Sequence, residues 1–185
     1  MNTLHGGVAM SQRYIMTAFG QDRVGIVADV TEIMYRQECN IEDATMTRLS
    51  DEFAVIFLFS SQDPDLEKKL MNDIRRLERE KSITAFYRPL QESLQKEQPV
   101  LPRVTLHIEG IDQTGIVYRV SQHLAQKGIN IRYLNSRRSY VPQSGTALYT
   151  VDLDVELPEN LPLDSFKKGV RALGDELHVN IHFKS

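Results

Sequence analysis

Apolar residues recur along this chain with two different periods, and these periods follow one another in the same order twice. Residues 14–19 and 104–109 have the apolar alternation or apolar density of a β-strand. Helical spacing follows each strand and predicts an amphipathic helix; its apolar positions are Ile26, Val30, Ile33 and Met34 in the first half, and Ile116, Val117, Val120 and Leu124 in the second.

The rest of each half continues the same sequence of patterns. A strand begins at Asn40 or Asn130, and a strongly apolar strand follows from Phe53 or Ala147. A second helix is predicted from Leu66, Leu70, Ile74 and Leu77, and from Phe166, Val170, Leu173 and Leu177. A short strand closes each half. The order β-α-β-β-α-β predicts an α+β protein of two tandem ferredoxin-like domains, each an antiparallel sheet with its helices on one face.

The two halves also share residues that a common helix pattern does not explain. "FGQDRVGIVADVTEIMYRQECNIED" (19–43) aligns with "EGIDQTGIVYRVSQHLAQKGINIRY" (109–133) without a gap. The identities include the flanking glycines, the aspartates and an Asn-Ile pair, which indicates duplication. "RPLQESLQKEQPVLPR" between the halves is typical of an exposed connector. We therefore expect a flexible N-terminus at 1–12, domains at 13–88 and 103–185, and a linker at 89–102.

The two predicted sheets differ on the face turned away from the helices. In the second half polar residues alternate with apolar ones, which predicts a solvated face; they are Thr105, His107, Glu109, Thr150, Asp152 and Asp154. In the first half "FAVIFLF" is apolar at every position, so both faces of that sheet should be covered. We expect this back face to meet the other domain or a second subunit, with a homodimer through it as our prediction.

Composition narrows the range of functions. The 185 residues carry a formal charge of -3 with a pI near 6.0, which gives no general basic field for nucleic acid. No apolar run is long enough to span a membrane, and the N-terminus lacks the apolar centre of a signal peptide, so we expect a cytoplasmic protein without a membrane partner. Phosphate-loop, dinucleotide and nucleophile-elbow motifs are missing, which argues against an enzyme and against a cofactor. Cys39, the single cysteine, is interpreted as a core residue.

The repeated loop before each first helix carries the candidate chemistry. Asp22 and Asp112 stand where an aspartate can cap a helix. Gly25 and Gly115 allow a ligand to approach the backbone, and a helix N-terminus suits a carboxylate. An asparagine at the entry to each second strand can donate to a carboxylate and accept from an ammonium group. Together these groups fit a free amino acid, while capping plus turn asparagines is the purely structural alternative.

The strand, the "G-x-D-x-x-G-I-V" loop, the helix and the "N-I" strand entry resemble the ACT domain, a ferredoxin-like regulatory module that binds amino acids. "DRVGIV" is close to the family's "DRPGI" loop, whereas "DQTGIV" lacks both the arginine and the proline. In that family the ligand lies at an interface between modules. Carried over, the resemblance implies a ligand site made of Gly20, Asp22, Arg23, Val24, Gly25, Ile26, Asn40 and Ile41, with Gly110, Asp112, Gln113, Thr114, Gly115, Ile116, Asn130 and Ile131. The residues themselves predict no metal or catalytic site, because His178 and His182 share a strand face without a third ligand nearby and His123 lies on a helix face.

Two such modules cover almost the whole chain, as in the family of the glycine cleavage system transcriptional repressor, which this organisation resembles. The resemblance implies a non-enzymatic protein that senses an amino acid of unknown identity and regulates transcription indirectly through a protein partner. One alternative is a detached regulatory subunit of a metabolic enzyme. The other is a dimerisation or docking module that binds no ligand.

Overall fold

A computed structural model describes residues 11–91 and 100–184. The predicted flexible N-terminus therefore lies outside the described residues, apart from its last two positions, and so does most of the predicted linker. The chain divides into two compact units, one on each side of that linker. No helix in the described ranges is long and apolar enough to cross a membrane.

The first unit has six elements in the predicted order. They are β1 (Gln12–Gln21), α1 (Ile26–Arg36), β2 (Asn40–Leu49), β3 (Glu52–Ser61), α2 (Leu66–Lys81) and β4 (Thr84–Pro89). The strands form an antiparallel sheet in the order β2-β3-β1-β4, which is the ferredoxin-like arrangement predicted from the sequence.

The second unit repeats this order. Its elements are β5 (Arg103–Ile111), α3 (Ile116–Gln126), β6 (Asn130–Tyr140), β7 (Ala147–Glu156), α4 (Leu163–Leu177) and β8 (Val179–Lys184). The sheet order β6-β7-β5-β8 is equivalent, strand for strand, to that of the first unit. Even the irregularity in the edge strand is repeated, because the register shifts between Ile41 and Asp43 and again between Ile131 and Tyr133.

Each unit buries its own core between the sheet and the helices. In the first unit Met16, Phe53 and Phe59 from the sheet pack with Val30 and Leu70 from the helices, and all five side chains are buried. The second core has Leu106, Leu153, Val120 and Phe166 in corresponding roles. Burial of these apolar side chains is the main favourable free-energy change in folding either unit. The periodicity of the sequence identified both helix faces correctly.

The helix ends also agree with the sequence. The apolar periodicity predicts helix ends near Gln37 and Lys127; helix α1 ends at Arg36 and α3 at Gln126, one residue earlier in each unit. Gly128 has φ +68°, a left-handed conformation that glycine adopts without strain and that suits a residue just after a helix. In the first unit Glu38 has φ +50° at the equivalent position, so the duplicated turn tolerates a side chain there.

The face of each sheet turned away from its helices, here named the outer face, differs between the units. On the first sheet this face carries mainly apolar side chains: Ile15, Phe19, Ala54, Ile56, Leu58 and Phe86. Phe19, Ile56 and Phe86 are exposed by 43%, 45% and 58%. The second outer face is polar, as predicted, and its side chains pair with one another: Thr105 donates to Asp154, and His107 Nδ1 lies 2.8 Å from Asp152.

Candidate functional site

The loop between the first strand and first helix has the same backbone geometry in both units. Gly25 has φ +88° and Gly115 has φ +99°, and each glycine is the residue that caps its helix. A Cβ on either glycine would meet no atom of residues 11–91 or 100–184 within 4 Å. The positive φ, and not a lack of space, is therefore the reason for glycine here.

Asp22 and Asp112 do not cap the helices, so the capping interpretation was wrong. Among the described residues, no side chain forms a hydrogen bond that caps α1 or α3. Asp22 instead forms an ion pair with Arg48, at 2.9 Å, and Asp112 forms the same pair with Arg138, at 2.8 Å. The aspartate backbone joins the same hairpin, since Asp22 N–H donates to Asp51 O and Asp112 N–H donates to Ala147 O.

These two ion pairs involve Arg48 and Arg138, which the sequence analysis did not identify. Arg48 and Arg138 are separated by the same ninety positions as the two aspartates, so the repeat itself contained the signal. Each aspartate attaches its loop to the hairpin made by the second and third strands of its unit. This structural contact explains why the aspartate is present in both units, without requiring a ligand.

Gly20 and Gly110 also have a structural reason. A Cβ on Gly20 would lie 3.0 Å from the carbonyl oxygen of Ser82, and a Cβ on Gly110 would lie 2.7 Å from Cγ1 of Val179. Both distances are shorter than ordinary van der Waals contact. These glycines allow the last strand of each unit to approach the first, so the fold requires them whether or not a ligand binds.

Of the loop residues, the isoleucines are the least available to a ligand. Ile26 and Ile116 are 3% and 2% exposed and belong to the two cores. The N–H group of Ile26 already donates to Arg23 O at 3.2 Å. Val24, by contrast, is fully exposed. Within residues 11–91 and 100–184, no backbone acceptor pairs with the N–H groups of Val24 and Gly25, which leaves both free for an anion.

The two loops differ at the position after the aspartate. Arg23 turns onto its own helix and forms an ion pair with Asp29 at 2.5 Å, and its guanidinium lowers the pKa of that carboxyl group. Lys81 lies 3.1 Å from the other oxygen of Asp29. At the equivalent position of the second loop, Gln113 donates to Leu177 O at the end of α4. The arginine therefore has a carboxylate partner in its own unit.

The asparagines lie far from the loop of their own unit. Gly20 is opposite Phe53 on β3, whereas Asn40 is opposite Ser60, seven positions along the same strand. At a rise of about 3.3 Å per residue this separation is roughly 23 Å. Gly110 and Asn130 are separated equally, opposite Tyr149 and Glu156. A ligand of amino-acid size held by one loop is out of reach of the same unit's asparagine.

Asn40 instead lines a polar cavity at the opposite end of the first unit. The cavity has a volume of about 750 Å³, and its other charged or hydroxyl-bearing walls are Ser11, Arg36, Glu38, Ser60, Ser61, Asp63 and Lys69. Lys69 and Asp63 already pair with each other at 2.5 Å. Ile41 and Ile131 follow the asparagines on the edge strands; Ile41 is 40% exposed, and Ile131 packs against the second core.

The histidines do not form a metal site in the described ranges. No group of three or more His, Cys, Asp or Glu side chains there is arranged to hold an ion. His182 stacks against His107 on the second outer face, with ring centroids 6.4 Å apart. Cys39 packs against the first core, as predicted, and burial raises the pKa of its thiol.

Fold and loops together define a tandem protein of two βαββαβ modules, each with a glycine-capped loop at the first helix. The model of the ACT domain matches residues 12–88. A UPF0237 protein of Methanopyrus kandleri is 34% identical over 65 residues, which are 35% of this chain and 72% of that protein. The chain belongs to the ACT-domain family.

Longer relatives cover both modules. The glycine cleavage system transcriptional repressor of Escherichia coli is 25% identical over 175 residues, covering 91% of this chain and 88% of that protein. The crystal structure of a protein of unknown function from Galdieria sulphuraria superposes with a TM-score of 0.76 at 26% identity, covering 95% and 98% of the two chains. The tandem ACT arrangement is therefore shared along nearly the full chain.

Proposed function

We propose that this protein is a non-enzymatic regulator that senses a free amino acid through its glycine-capped loops. One observation carries the proposal: both units place an exposed loop at the N-terminus of a helix, and in the first loop the N–H groups of Val24 and Gly25 have no backbone partner in the described ranges. Such N–H groups, with the partial positive charge of the helix end, bind carboxylates.

The site residues are assigned different parts in this proposal. Backbone groups of Val24 and Gly25, with those of Thr114 and Gly115, hold the ligand carboxylate. Asp22, Arg23, Asp112 and Gln113 shape the loop through the contacts described above, and Gly20, Ile26, Gly110 and Ile116 support it from the fold. The pairs Asn40-Ile41 and Asn130-Ile131 belong to the opposite end of each unit and act as a separate contact region.

Regulation of transcription follows by analogy with the Escherichia coli relative, whose name states that role. The net charge of -3 gives no general basic field for DNA, so in this proposal the effect on transcription is indirect and passes through a protein partner. An electrophoretic mobility shift by the purified protein alone at physiological salt would contradict this part of the proposal. Capture of a metabolic enzyme in place of a transcription factor would redirect it to the control of that enzyme.

We further propose that two copies associate through the outer face of the first sheet. Phe19, Ile56 and Phe86 are exposed on this face, with Thr17 between Ile56 and Phe86, and apolar patches on one face of a monomer mark association sites. A second copy offers the same surface, so a two-fold arrangement covers both at once. Light scattering that gives the mass of a single chain at micromolar concentration would contradict it.

Thermal unfolding in the presence of each of the twenty amino acids tests ligand binding. A ligand at about 100 times its dissociation constant stabilises the folded protein by about 2.7 kcal/mol, which shifts the midpoint by several degrees. One or a few amino acids should give that shift. If none does, sensing is wrong and the chain is a docking module.

Pairs of loop variants that have the same shape but differ in charge locate the site. Val24 is fully exposed, so its replacement leaves the core intact. In Val24→Asp a carboxylate of the protein competes for the helix N-terminus, and the ligand-induced shift should fall sharply, whereas Val24→Asn of similar shape should keep it. Thr114→Asp and Thr114→Asn test the second loop in the same way, by the ligand-induced shift of the unfolding midpoint. Equal shifts in all four variants would exclude the loops as the site, and loss in Asn40→Ala alone would assign it to the polar cavity.

A further inference from the structure

A second cavity lies wholly within the second unit, at the end of the sheet opposite its glycine loop. Its volume is about 540 Å³, within the range of small-molecule sites. It is formed by the starts of β5, β6 and α4 and the ends of β7 and β8. Its walls are Arg103, Val104, Thr105, Arg132, Tyr133, Asp154, Leu163, Lys167, Phe183 and Lys184. None of the loop residues assigned to amino-acid sensing is among them.

Positive charge exceeds negative charge in this cavity. Four of its side chains are cationic, namely Arg103, Arg132, Lys167 and Lys184, and only Asp154 is acidic. Arg103 and Arg132 share a single carboxylate oxygen of the neighbouring Glu156, at 3.4 and 3.1 Å. One carboxylate cannot neutralise two guanidinium groups, so a positive charge remains. An anion entering the cavity would be stabilised.

Lys167 adds a second unbalanced charge. In the part of the chain that the structure describes, no carboxylate lies within ion-pair distance of its ammonium group, which instead stands 5.6 Å from the ring centroid of Phe183. Lys184 differs, because it pairs with Asp152 at 3.0 Å. The charge available to a ligand therefore lies at Lys167 and at the two arginines, Arg103 and Arg132, that share one carboxylate.

Apolar surface lies beside these cations. Tyr133 is 52% exposed and Leu163 is 45% exposed, and Phe183 also lines the cavity. Exposed aromatic and aliphatic side chains next to cationic ones match a ligand with a flat apolar body and an anionic group.

The first unit lacks this combination at the equivalent positions. The paired registers of the strands and the aligned helices place Glu42, Asp43, Glu67 and Met71 where the second unit has Arg132, Tyr133, Leu163 and Lys167. Glu42 there forms an ion pair with Arg13 at 2.7 Å. Three acidic residues of one copy thus correspond to a cation and two apolar residues in the other. The fold does not demand the cationic set, since the first unit adopts the same fold without it.

We propose that this cavity of the second unit binds an organic anion that joins a flat apolar group to a phosphate or a carboxylate. Arg132 and Lys167 contact the anionic group, and Tyr133 and Leu163 cover the apolar group. The site is independent of amino-acid sensing at the loops.

Calorimetric titration of the full chain with two probes tests the proposal. Adenosine monophosphate represents the aromatic phosphates, and anthranilate represents the aromatic carboxylates. Binding of either probe with a dissociation constant below about 1 mM supports the site, and the tighter probe identifies the anionic group. Adenosine and inorganic phosphate, which each lack one half of the ligand, should bind at least tenfold more weakly. Failure of both probes to bind would overturn the proposal.

Variants then locate the binding. Lys167→Met and Arg132→Gln remove two of the available charges and should each weaken the better probe by about tenfold, the loss expected for a charge-assisted hydrogen bond. Lys168→Met is the matched control, because Lys168 is adjacent in sequence, carries the same charge and does not line this cavity. Equal weakening by Lys167→Met and Lys168→Met would show unspecific attraction and overturn the site. Circular dichroism of each variant confirms that the unit is folded.

Discussion

The outer faces of the two sheets show how far duplicated modules can diverge without a change of fold. Ile56 stands opposite Thr17 in the first sheet, and Asp152 stands opposite His107 at the equivalent place in the second. The helix-facing sides of the same strands stay apolar in both units, since they form the cores. Side chains on the outer face are not required to pack on the helices, so that face can change from apolar to charged.

The largest effect is expected when Ile56 on the first outer face is replaced by aspartate, the residue at the equivalent place of the second sheet. In Ile56→Asp a carboxylate would be buried without a partner when two copies associate, a cost of several kcal/mol. The dissociation constant of the dimer should therefore rise about a hundredfold or more. Sedimentation velocity over a concentration series measures this constant.

The matched control for this change is Asp152→Asn on the second outer face. It removes a charge from that polar surface and should leave the dimer mass unchanged. A wild-type monomer, or an Ile56→Asp variant that stays dimeric, would show that the apolar outer face has another role.

Gly20 and Gly110, near the end of the first strand of each unit, are packed closely against different kinds of atom. Gly110→Ala brings a methyl group to 2.7 Å from Cγ1 of Val179, and overpacking of this kind costs about 1–3 kcal/mol. Chemical denaturation measures the loss. Val179→Ala removes the obstructing atom, so the double variant should be more stable than the sum of the two single effects predicts.

Gly20→Ala is the counterpart in the first unit, where the obstacle is the carbonyl oxygen of Ser82. No side-chain truncation can relieve a backbone contact. Gly20→Ala should therefore destabilise the protein without a rescuing partner. If Val179→Ala fails to reduce the cost of Gly110→Ala, the close approach of β8 is not the reason for glycine there.

A smaller difference concerns His123, a half-buried residue of α3 at the position of Ile33. Its Nε2 atom has no hydrogen-bond partner in the described residues, and burial, together with nearby Lys127, lowers its pKa. The unfolded chain therefore binds this proton more readily, and stability should decline as the pH falls below about 6.5.

The measurement is the unfolding midpoint at pH 7.5 and at pH 5.5. His123→Leu should reduce the loss of stability between these two values, since the isoleucine of the first unit shows that an apolar residue fits the position. His182→Gln, on the exposed outer face, should not. An unchanged loss in His123→Leu would assign the acid sensitivity to other groups.

The smallest expected effect is the coupling of the aspartate-arginine pairs. Arg48 is 62% exposed in its pair with Asp22, and exposed ion pairs contribute about 0.2–1 kcal/mol. A double-mutant cycle with Asp22→Asn and Arg48→Gln measures this coupling, and Asp112→Asn with Arg138→Gln repeats it in the second unit. The two coupling energies should agree within experimental error, and a pair that matters in one unit only would contradict a shared structural role.

The sequence alone predicted the fold well because the fold depends on periodic burial. The order of elements, the helix faces and the contrast between the outer faces are all confirmed. These features are repeated at every turn of a helix or every second residue of a strand, so many positions contribute to each inference.

The site was predicted less well because its contacts join residues that are distant in the chain. The partner of Asp22 is Arg48, twenty-six positions later, and local sequence favoured a helix cap. Asn40 was grouped with the loop although the strand register places it seven positions further along β3, about 23 Å away. The cationic cavity could not be foreseen, since five separate segments build it.

The double attachment of Asp22 has a mechanical consequence. Its N–H group contacts Asp51 in the turn between β2 and β3, and its carboxylate contacts Arg48 in β2, so a displacement of the glycine loop would pull this hairpin with it. Leu49, at the end of this hairpin, is 76% exposed. A ligand that shifts the loop would thereby also move the exposed Leu49 at the end of the hairpin. Asp22 would transmit this movement from the loop to the hairpin.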